Sequence, residues 1–149
     1  MTQAPTAIPE VQPKPAAKPD AGGFFWGTGR RKTSVARVRI RPGEGKFLVN
    51  GREVDQYFTE PQHRLACRQA LQLTKTEGKL DVLVRVEGGG ITGQAGAVLL
   101  GVARALKAYD PTLEPILRDN GLLTRDPREV ERKKPGQPGA RRRFQFSKR

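Results

Sequence analysis

The amino-acid sequence predicts an α/β fold: a two-layer domain with a small sheet of about four strands, helices on one face, and an extended C-terminal tail. Three stretches of the 149-residue chain carry this prediction. Residues 36–41 alternate strictly between apolar side chains and arginines, as a half-buried strand does. Residues 93–109 form a long apolar helix, whereas residues 132–149 contain too few apolar side chains to join a core. We expect a core domain at 24–131 and a leader rich in proline and alanine at 1–23.

Charge is distributed unevenly along the chain. The net charge is +13, and residues 1–29 sum to zero because two lysines balance two acidic residues. Residues 132–149 contain eight basic side chains and no acidic one, so they contribute +8. This predicts a nucleic-acid partner, with an anionic membrane surface as the weaker alternative. The longest apolar run is too short to cross a membrane, so we expect no membrane span.

Cysteine usage and the leader bear on the compartment. Cys67 is the only cysteine, so the chain cannot form an internal disulfide and fits a reducing cytoplasm. Residues 1–23 lack the apolar core of a secretory signal and the arginine-rich pattern of a transit peptide, which predicts a disordered leader. The aromatic residues Phe24, Phe25 and Trp26 are the first that we expect to pack onto the domain.

Strands dominate the first half of the predicted domain. The strand at 36–41 has one apolar face and one face of arginines. A PGEG turn leads to a second strand at Lys46–Val49. Asn50-Gly51 then predicts a tight hairpin into a strand at Arg52–Tyr57.

Helix and strand alternate in the second half. Pro61 opens a helix, and residues 80–86 alternate as a mostly buried strand. A glycine-rich loop leads to the clearest helix, Gly93–Tyr109, and a short helix follows at 112–120. We expect residues 122–130 to cross the domain, partly as a strand, and to deliver the chain to the tail.

The loop before the long helix matches a dinucleotide-binding pattern. Gly88, Gly90 and Gly93 fit G-x-G-x-x-G between a strand and a helix. The acidic residue that should end a second parallel strand is instead Asp110, which begins a proline-containing helix, so we exclude a nucleotide enzyme. Two interpretations stay open. Backbone N–H groups beside Thr92 hold one RNA phosphate, or the glycines only allow a tight turn and close helix packing.

Residues suited to catalysis or metal binding are scarce. His63 and Cys67 lie four apart on a helix, but two ligands do not make a metal site and the chain has no other histidine or cysteine. No Ser-His-Asp or Cys-His arrangement and no paired carboxylates are apparent. We therefore predict a protein that is not an enzyme and that has no metal, no cofactor and no small-molecule substrate.

Basic residues cluster in two places. Six of them, with no acidic residue, lie between Arg30 and Arg41. Such a row is either a solvated sheet face or a rigid cluster that positions the protein on phosphates. The tail at 132–149 adds Phe144 and Phe146 to its arginines, and this combination is typical of RNA contacts. We interpret both clusters as RNA-binding.

Six motifs together resemble a known family. From Phe25 to Arg149, in order and nearly without gaps, the chain is similar to the bacterial type of the universal small-subunit ribosomal protein nine family. The motifs are GTGRRKTSVARV (27–38), VNGR (49–52), EGGGITGQAGA (87–97), GLLTRDPR (121–128), VERKK (130–134) and QFSKR (145–149). The leader is not covered.

The resemblance implies a fold and a location. It implies a small α/β domain with an unusual left-handed βαβ crossover. It also implies a place in the head of the small subunit, in the cytoplasmic ribosome, on ribosomal RNA and beside neighbouring ribosomal proteins. The C-terminal tail would thread through RNA towards the peptidyl-site tRNA.

Site residues follow by matching positions. For binding ribosomal RNA, the resemblance together with the arginine row gives Arg30, Arg31, Lys32, Arg37, Arg39, Arg125, Arg128, Arg132, Lys133, Lys134, Arg141 and Arg142. For contact with tRNA, it gives Ser147, Lys148 and Arg149. The chain departs from the family pattern in mid-tail, at Pro135, Gln137, Pro138, Gly139, Arg143 and Phe144. RNA binding by Arg143 and Phe144 is therefore a hypothesis that rests on their own chemistry.

The sequence as a whole predicts a structural constituent of the small ribosomal subunit. It would bind ribosomal RNA in the subunit head, present its basic tail to the peptidyl-site tRNA and so support translation. The alternative is a free-standing basic regulator that binds DNA or messenger RNA. That alternative needs a helix whose side chains contact base edges in a groove. The predicted helix Gly93–Tyr109 has only Gln94, Arg104 and Lys107 as polar side chains long enough for such contacts.

Overall fold

The computed structural model describes residues 16–148, so residues 1–15 of the predicted leader and Arg149 lie outside the described part. The strands are Phe25–Arg31 (β1), Ser34–Pro42 (β2), Phe47–Val49 (β3), Arg52–Glu53 (β4) and Leu80–Glu87 (β5). The helices are Val54–Tyr57 (α1), Pro61–Leu73 (α2), Ile91–Tyr109 (α3) and Glu114–Asp119 (α4), with a 3₁₀ turn at Pro111–Leu113. The predicted α/β fold is confirmed, and the strands form one five-stranded sheet.

The sheet has the strand order β1-β2-β5-β3-β4. β2 lies between β1 and β5 and is antiparallel to both. Its apolar side chains Ala36, Val38 and Ile40 are fully buried, while the arginines between them are exposed. The predicted half-buried strand is therefore confirmed, and the arginines share the face of the sheet that is turned away from the core.

A βαβ unit joins β3 to β5. These two strands run parallel, with Leu48 opposite Leu83. The chain between them passes through β4, α1 and α2, as a parallel connection requires. The left-handed crossover that the resemblance implies stays a prediction.

Helix α3 is the centre of the core. Ten of its nineteen residues are buried, so it is covered on more than one side. It packs across β1 and β2 on one side and against α2 on the other. None of the helices in residues 16–148 combines the length and the apolar character needed to cross a membrane.

Glycines let α3 lie directly on the sheet. A Cβ atom at Gly29 would stand 1.8 Å from the Ala97 carbonyl oxygen, and one at Gly27 would stand 2.4 Å from the Ala105 nitrogen. On the helix side, a Cβ at Gly101 would stand 2.6 Å from a methyl carbon of Val38. Backbone therefore packs on backbone, which fixes β1 and its basic residues rigidly to the core.

Two expectations about strands are wrong. The strand expected at Arg52–Tyr57 ends at Glu53, because α1 turns the chain inward and buries Val54. Residues 122–130 contain no strand. There the Asp126 carboxylate accepts the Arg128 backbone N–H at 3.1 Å, so a local turn replaces ladder pairing.

The aromatic anchors differ from one another. Phe25 packs edge-to-face on Tyr109, with ring centroids 5.2 Å apart. Trp26 is 50% exposed, because it points to the opposite side of β1. The expectation that the aromatic residues pack onto the domain therefore holds for Phe25, and Trp26 lies instead on the open face of the sheet.

Candidate nucleic-acid interface

The open face of the sheet carries an array of unpaired arginines. Arg37 and Arg39 project from β2 and Arg85 from β5, and all three are exposed. Within residues 16–148, none of the three has a hydrogen bond or an ion pair with another side chain. Their guanidinium groups are free to donate to phosphate oxygens, which arginine binds with paired donors.

Strand register sets the layout of this face. Arg37 stands directly opposite Arg85. The neighbouring row places Trp26 opposite Arg39, Arg39 opposite Leu83, and Leu83 opposite Leu48. A groove of about 860 Å³ runs over these two rows, with the Asn50-Gly51 turn at one side. We call it the open-face groove.

Aromatic rings hold two arginines at the edge of the groove. The Arg39 guanidinium lies 5.0 Å from the centroid of the Phe24 ring and 5.9 Å from that of Trp26. Arg41 lies 5.1 Å from the Phe24 ring and 3.6 Å from the Asp81 carboxylate. These contacts orient the positive groups without neutralising Arg39.

Asp81 has a structural role beside this face. Its Oδ1 accepts the backbone N–H groups of Glu44, Gly45 and Lys46 at 3.0 to 3.1 Å. The Lys46 N–H contributes most to lowering the pKa of this carboxyl, and burial opposes the shift. These bonds hold the turn before β3 in place. The carboxylate of Asp81 is therefore engaged by the backbone of its own chain.

The β1–β2 turn adds two free cations. Arg30 and Lys32 are exposed, and within the described part of the chain their side chains bond to nothing. Lys32 has a φ of 52°, the left-handed conformation that a tight turn requires. This turn carries the basic cluster predicted at the start of the domain.

Arg31 differs from its two neighbours. Its side chain lies across Gly96, where an added Cβ would stand 2.2 Å from Arg31 Cδ. Its guanidinium donates to the Thr92 carbonyl oxygen at 3.4 Å and lies 3.6 Å from the Asp126 carboxylate. Arg31 therefore links the sheet and α3 to the base of the tail.

The base of the tail is held by local ion pairs. Arg128 donates to both oxygens of Asp126 at 2.8 to 3.1 Å. These bonds lower the pKa of Asp126 to about 2, and Arg31 adds a smaller effect. Arg125 pairs with Glu129 at 3.1 Å. The predicted site residues Arg31, Arg125 and Arg128 thus already have acidic partners within the chain.

The tail itself is extended and exposed. No helix or strand occurs between residues 121 and 148. Arg141 donates to Glu131 Oε1 at 2.7 and 3.0 Å and to Oε2 at 3.1 Å, and these bonds lower the pKa of that carboxyl. Lys134 lies 3.4 Å from the same carboxylate. Phe144 and Phe146 are 71% and 85% exposed. The apolar rings have no packing partner among residues 16–148, so their burial requires another molecule.

Free cations remain along the tail. The side chains that have no hydrogen bond or ion pair to any described residue are those of Lys133, Arg142, Arg143 and Lys148. Arg132 bonds only to the adjacent Lys133 carbonyl oxygen, at 3.2 Å. Ser147 and Lys148 are exposed, whereas Arg149 lies outside the described residues.

The glycine loop before α3 packs tightly against the β1–β2 turn. A Cβ at Gly88 would stand 2.7 Å from the Thr33 carbonyl oxygen, and one at Gly89 would stand 2.2 Å from Ser34 Oγ. Ser34 Oγ also donates to the Gly88 carbonyl oxygen at 2.9 Å. Of the two interpretations of this loop, the contacts support close packing.

His63 and Cys67 lie on α2. Cys67 is fully buried, and burial raises the pKa of its thiol to about 12, so it stays protonated and unreactive. Within the described part of the chain, no three His, Cys, Asp or Glu side chains are grouped so that they could hold a metal ion.

Comparison with known proteins identifies the family. The model of the family described as ribosomal protein S9/S16 matches residues 29–149, which include the β1–β2 turn, the arginines of the open face and the tail. The chain belongs to the ribosomal protein S9/S16 family. This confirms the family resemblance, and since that family is structural, it also confirms the prediction that the chain is not an enzyme.

Three relatives show how far the similarity to this ribosomal family extends, and each carries the name small ribosomal subunit protein uS9. The one from Solidesulfovibrio magneticus is 59% identical over 85% of this chain and 97% of its own length. The one from Rhodopirellula baltica is 53% identical over 89% and 96%. The one from Thermotoga maritima is 56% identical over 84% and 96%. The similarity therefore covers nearly the whole length of each relative.

The structure brings together only some of the predicted residues. Arg37 and Arg39 share the open face, while Arg30 and Lys32 share the turn at its end. Sequence reasoning did not include Arg85, which lies on the same face as Arg37 and Arg39, among the candidate residues, and it did not predict that Trp26 is exposed. The alternation of β5 could have shown that Arg85 points to the other face of the sheet from the buried Val84. Only the strand register shows that Arg85 pairs with Arg37.

Proposed function

We propose that this chain is a structural constituent of the small ribosomal subunit that binds ribosomal RNA in the subunit head and presents its basic tail to the peptidyl-site tRNA. Family membership gives it a structural role in translation, within the ribosome of the cytoplasm. The observation that carries the finer proposal is the division of its cations. Some have acidic partners within the chain, and others, on the rigid sheet and along the tail, have none.

The paired cations build the scaffold. The ion pairs of Arg31 and Arg128 meet on Asp126 and tie the start of the tail to the sheet. The tail therefore leaves the domain next to Arg31 of β1. A fixed departure point is what a segment needs if it is to reach one particular crevice in folded RNA.

The unpaired cations form the contact surface. Those on the open face and on the β1–β2 turn sit on a rigid support, and phosphate contacts from such a support fix the register of a protein on RNA. Those on the tail sit on a segment without internal packing, which gains order from a polyanion. The protein thus combines a rigid surface that anchors it on RNA with an extended tail that can contact RNA farther from the domain.

The alternative function, free-standing recognition of DNA or messenger RNA, is disfavoured by α3. Each polar side chain that could have reached a groove is used inside the protein. Arg104 donates to the Thr28 carbonyl oxygen at 2.7 Å, and Lys107 pairs with Glu114 at 2.9 Å. Gln94 accepts from Tyr57 Oη at 2.7 Å and donates to the Gly88 carbonyl oxygen at 3.1 Å. No face of this helix remains for base recognition.

Deletion of Ser147–Arg149 tests the role of the tail. We expect normal folding and normal incorporation into small subunits, because the described residues of this segment, Ser147 and Lys148, are exposed, together with a lower occupancy of tRNA at the peptidyl site. A matched control is the double variant Lys75→Asn and Lys79→Gln, which removes the same number of positive side chains, two, from a surface turn elsewhere on the domain. Filter binding of labelled tRNA to purified subunits measures the effect. Equal occupancy with truncated and full-length protein contradicts the proposed role of the tail.

Salt dependence tests the RNA contact. If about six to ten phosphates are neutralised, the affinity of the isolated protein for RNA of the subunit head should fall by roughly three to five orders of magnitude between 50 and 200 mM salt. An affinity that does not change with salt contradicts binding through phosphates. The slope also gives the number of phosphates contacted.

A further inference from the structure

The open-face groove contains apolar as well as basic side chains. A surface that contacted only phosphates would be expected to be polar throughout. Trp26, Leu83 and Leu48 lie in one row of the sheet, with Arg39 between the first two. The indole N–H of Trp26 is held 3.3 Å from Asp20 Oδ2, and the residue is 50% exposed. The polar end of this side chain therefore has a partner, and its ring has the Arg39 guanidinium 5.9 Å from the centroid, while half of the residue remains open to another molecule.

The neighbouring row contains a local electrostatic conflict. Arg37 and Arg85 stand opposite each other on adjacent strands, at a Cβ separation of about 5 Å for such pairs. Like charges at this spacing are destabilising, and within residues 16–148 no carboxylate pairs with either of them. An anion placed between the two guanidinium groups would remove the repulsion. The face thus has a place for one anion beside a place for one apolar, flat group.

The groove is of the size of a small-ligand site. Its volume of about 860 Å³ lies within the range of roughly 300 to 1,000 Å³ that is typical of such sites. Its lining brings together the exposed ring, the two opposed arginines, the wall formed by the Asn50-Gly51 turn and one acidic side chain, Glu87, which has no ion pair with either arginine. The two rows lie two residues apart along the strands, so an occupant needs one anionic group and one flat apolar group about 7 Å apart.

We propose that the open-face groove binds an unpaired RNA nucleotide, with its base packed against Trp26 and Leu83 and its phosphate between Arg37 and Arg85. This inference rests on the proposed function, because it presupposes that the sheet face meets RNA. A nucleotide combines the two groups that the groove requires. Bases inside a duplex are already stacked and cannot reach the indole, so the occupant is single-stranded. An acidic peptide would satisfy the arginines but would leave the apolar row uncovered.

Fluorescence of the full-length protein tests this directly, because Trp26 is its only tryptophan. We expect titration with hexa-adenylate to quench the Trp26 emission. A 12-base-pair RNA duplex, inorganic polyphosphate and an oligoglutamate peptide should leave it nearly unchanged. Equal quenching by polyphosphate would reduce the groove to a phosphate site, and equal quenching by oligoglutamate would assign it to a protein partner. Either result overturns the proposal.

Substitutions separate the two halves of the site. By anisotropy of a labelled oligonucleotide, Trp26→Leu should weaken binding roughly five- to one-hundred-fold, while Trp26→Phe should retain most of it. The double variant Arg37→Gln and Arg85→Gln should make the slope of log affinity against log salt shallower by about 0.7, the value for one phosphate of a single strand. Its melting temperature should equal or exceed that of the wild type, because the repulsion is gone.

The control and the decisive outcomes follow from this design. The Lys75→Asn, Lys79→Gln variant, which loses two charges elsewhere, should quench like the wild type. If the protein binds RNA of the subunit head but hexa-adenylate leaves Trp26 unquenched, the nucleotide site is wrong and the proposed function stands. If no RNA of the subunit head binds at all, both fail.

Discussion

Replacing Gly29 by alanine should destabilise the protein more than any other single added methyl group on β1. The new Cβ would stand 1.8 Å from the Ala97 carbonyl oxygen and 2.4 Å from the Gly101 nitrogen. Ordinary contact begins near 3.4 Å, so α3 would have to move away from β1 by about 1.6 Å, the difference between the two distances. The obstacle is helix backbone, which has no rotamer by which to escape.

The magnitude follows from the cost of overpacking. Extra methyl groups in a packed core cost about 1 to 3 kcal/mol, and a clash with the backbone of a buried helix belongs at the upper end of this range. A loss of about 3 kcal/mol is a large part of a typical domain stability of about 5 to 15 kcal/mol. For a domain of this size it corresponds to a melting temperature about 10 °C lower.

Thermal and urea unfolding followed by circular dichroism measure this change. Gly139→Ala is the matched control, because a Cβ there meets only Arg142 Cβ at 3.6 Å, in the tail, and we expect less than about 0.5 kcal/mol. If Gly29→Ala unfolds at the temperature of the wild type, the direct contact of β1 with α3 is wrong. The rigid mounting of the basic turn would then be wrong as well.

Three further predictions concern the acidic residues that organise the cations. The pKa of Asp126 is held at about 2, chiefly by Arg128, so its stabilising effect should be complete above the unfolded pKa of about 3.9, decline as the pH falls below that value, and be lost once the pH has fallen through about 2; a carboxyl-carbon NMR titration with a midpoint near 4 would contradict this. Asp81→Ala should cost about 1 to 3 kcal/mol and speed hydrogen exchange at the three amides bonded to the carboxylate; unchanged exchange would show that the turn does not depend on them. Glu131→Gln should leave the melting temperature unchanged, since its ion pair is exposed, and should accelerate tryptic cleavage after Arg141; equal cleavage rates would argue against the pair.

Side-chain alternation allowed the sequence to predict the centre of the fold. The arginines of β2 alternate with fully buried apolar residues, and a period of two has only one structural meaning. Helix α3 was equally clear, because a long apolar segment between a glycine loop and Asp110-Pro111 has defined ends. In both cases the local pattern and the tertiary environment favour the same structure.

β1 shows why the rest was not predictable. Its sequence FWGTGRR has glycines at two of seven positions, and glycine is unfavourable in strands when considered by itself. The glycines are required because α3 lies on that side of the strand, and this contact joins residues about 70 positions apart. Only the tertiary packing explains why glycine is the suitable residue there.

The candidate interface was predicted less completely than the fold, because charge alone does not separate binding residues from structural ones. Arg31 and Arg37 lie six residues apart in the same basic cluster. In the structure, Arg31 pairs with Asp126, 95 residues away, whereas Arg37 faces another arginine. Counting basic residues in the sequence predicts RNA contact equally for Arg31 and Arg37.

Pairing within the fold changes what each cation offers to RNA. A cation that already has a carboxylate partner must exchange that partner for a phosphate, so it gains little net free energy on binding. A cation that opposes another cation gains twice, because a phosphate attracts both and removes their mutual repulsion. The opposed pair Arg37 and Arg85 should therefore contribute more to RNA affinity than Arg31 and Arg128, even though the second pair lies within motifs of the family and Arg85 does not.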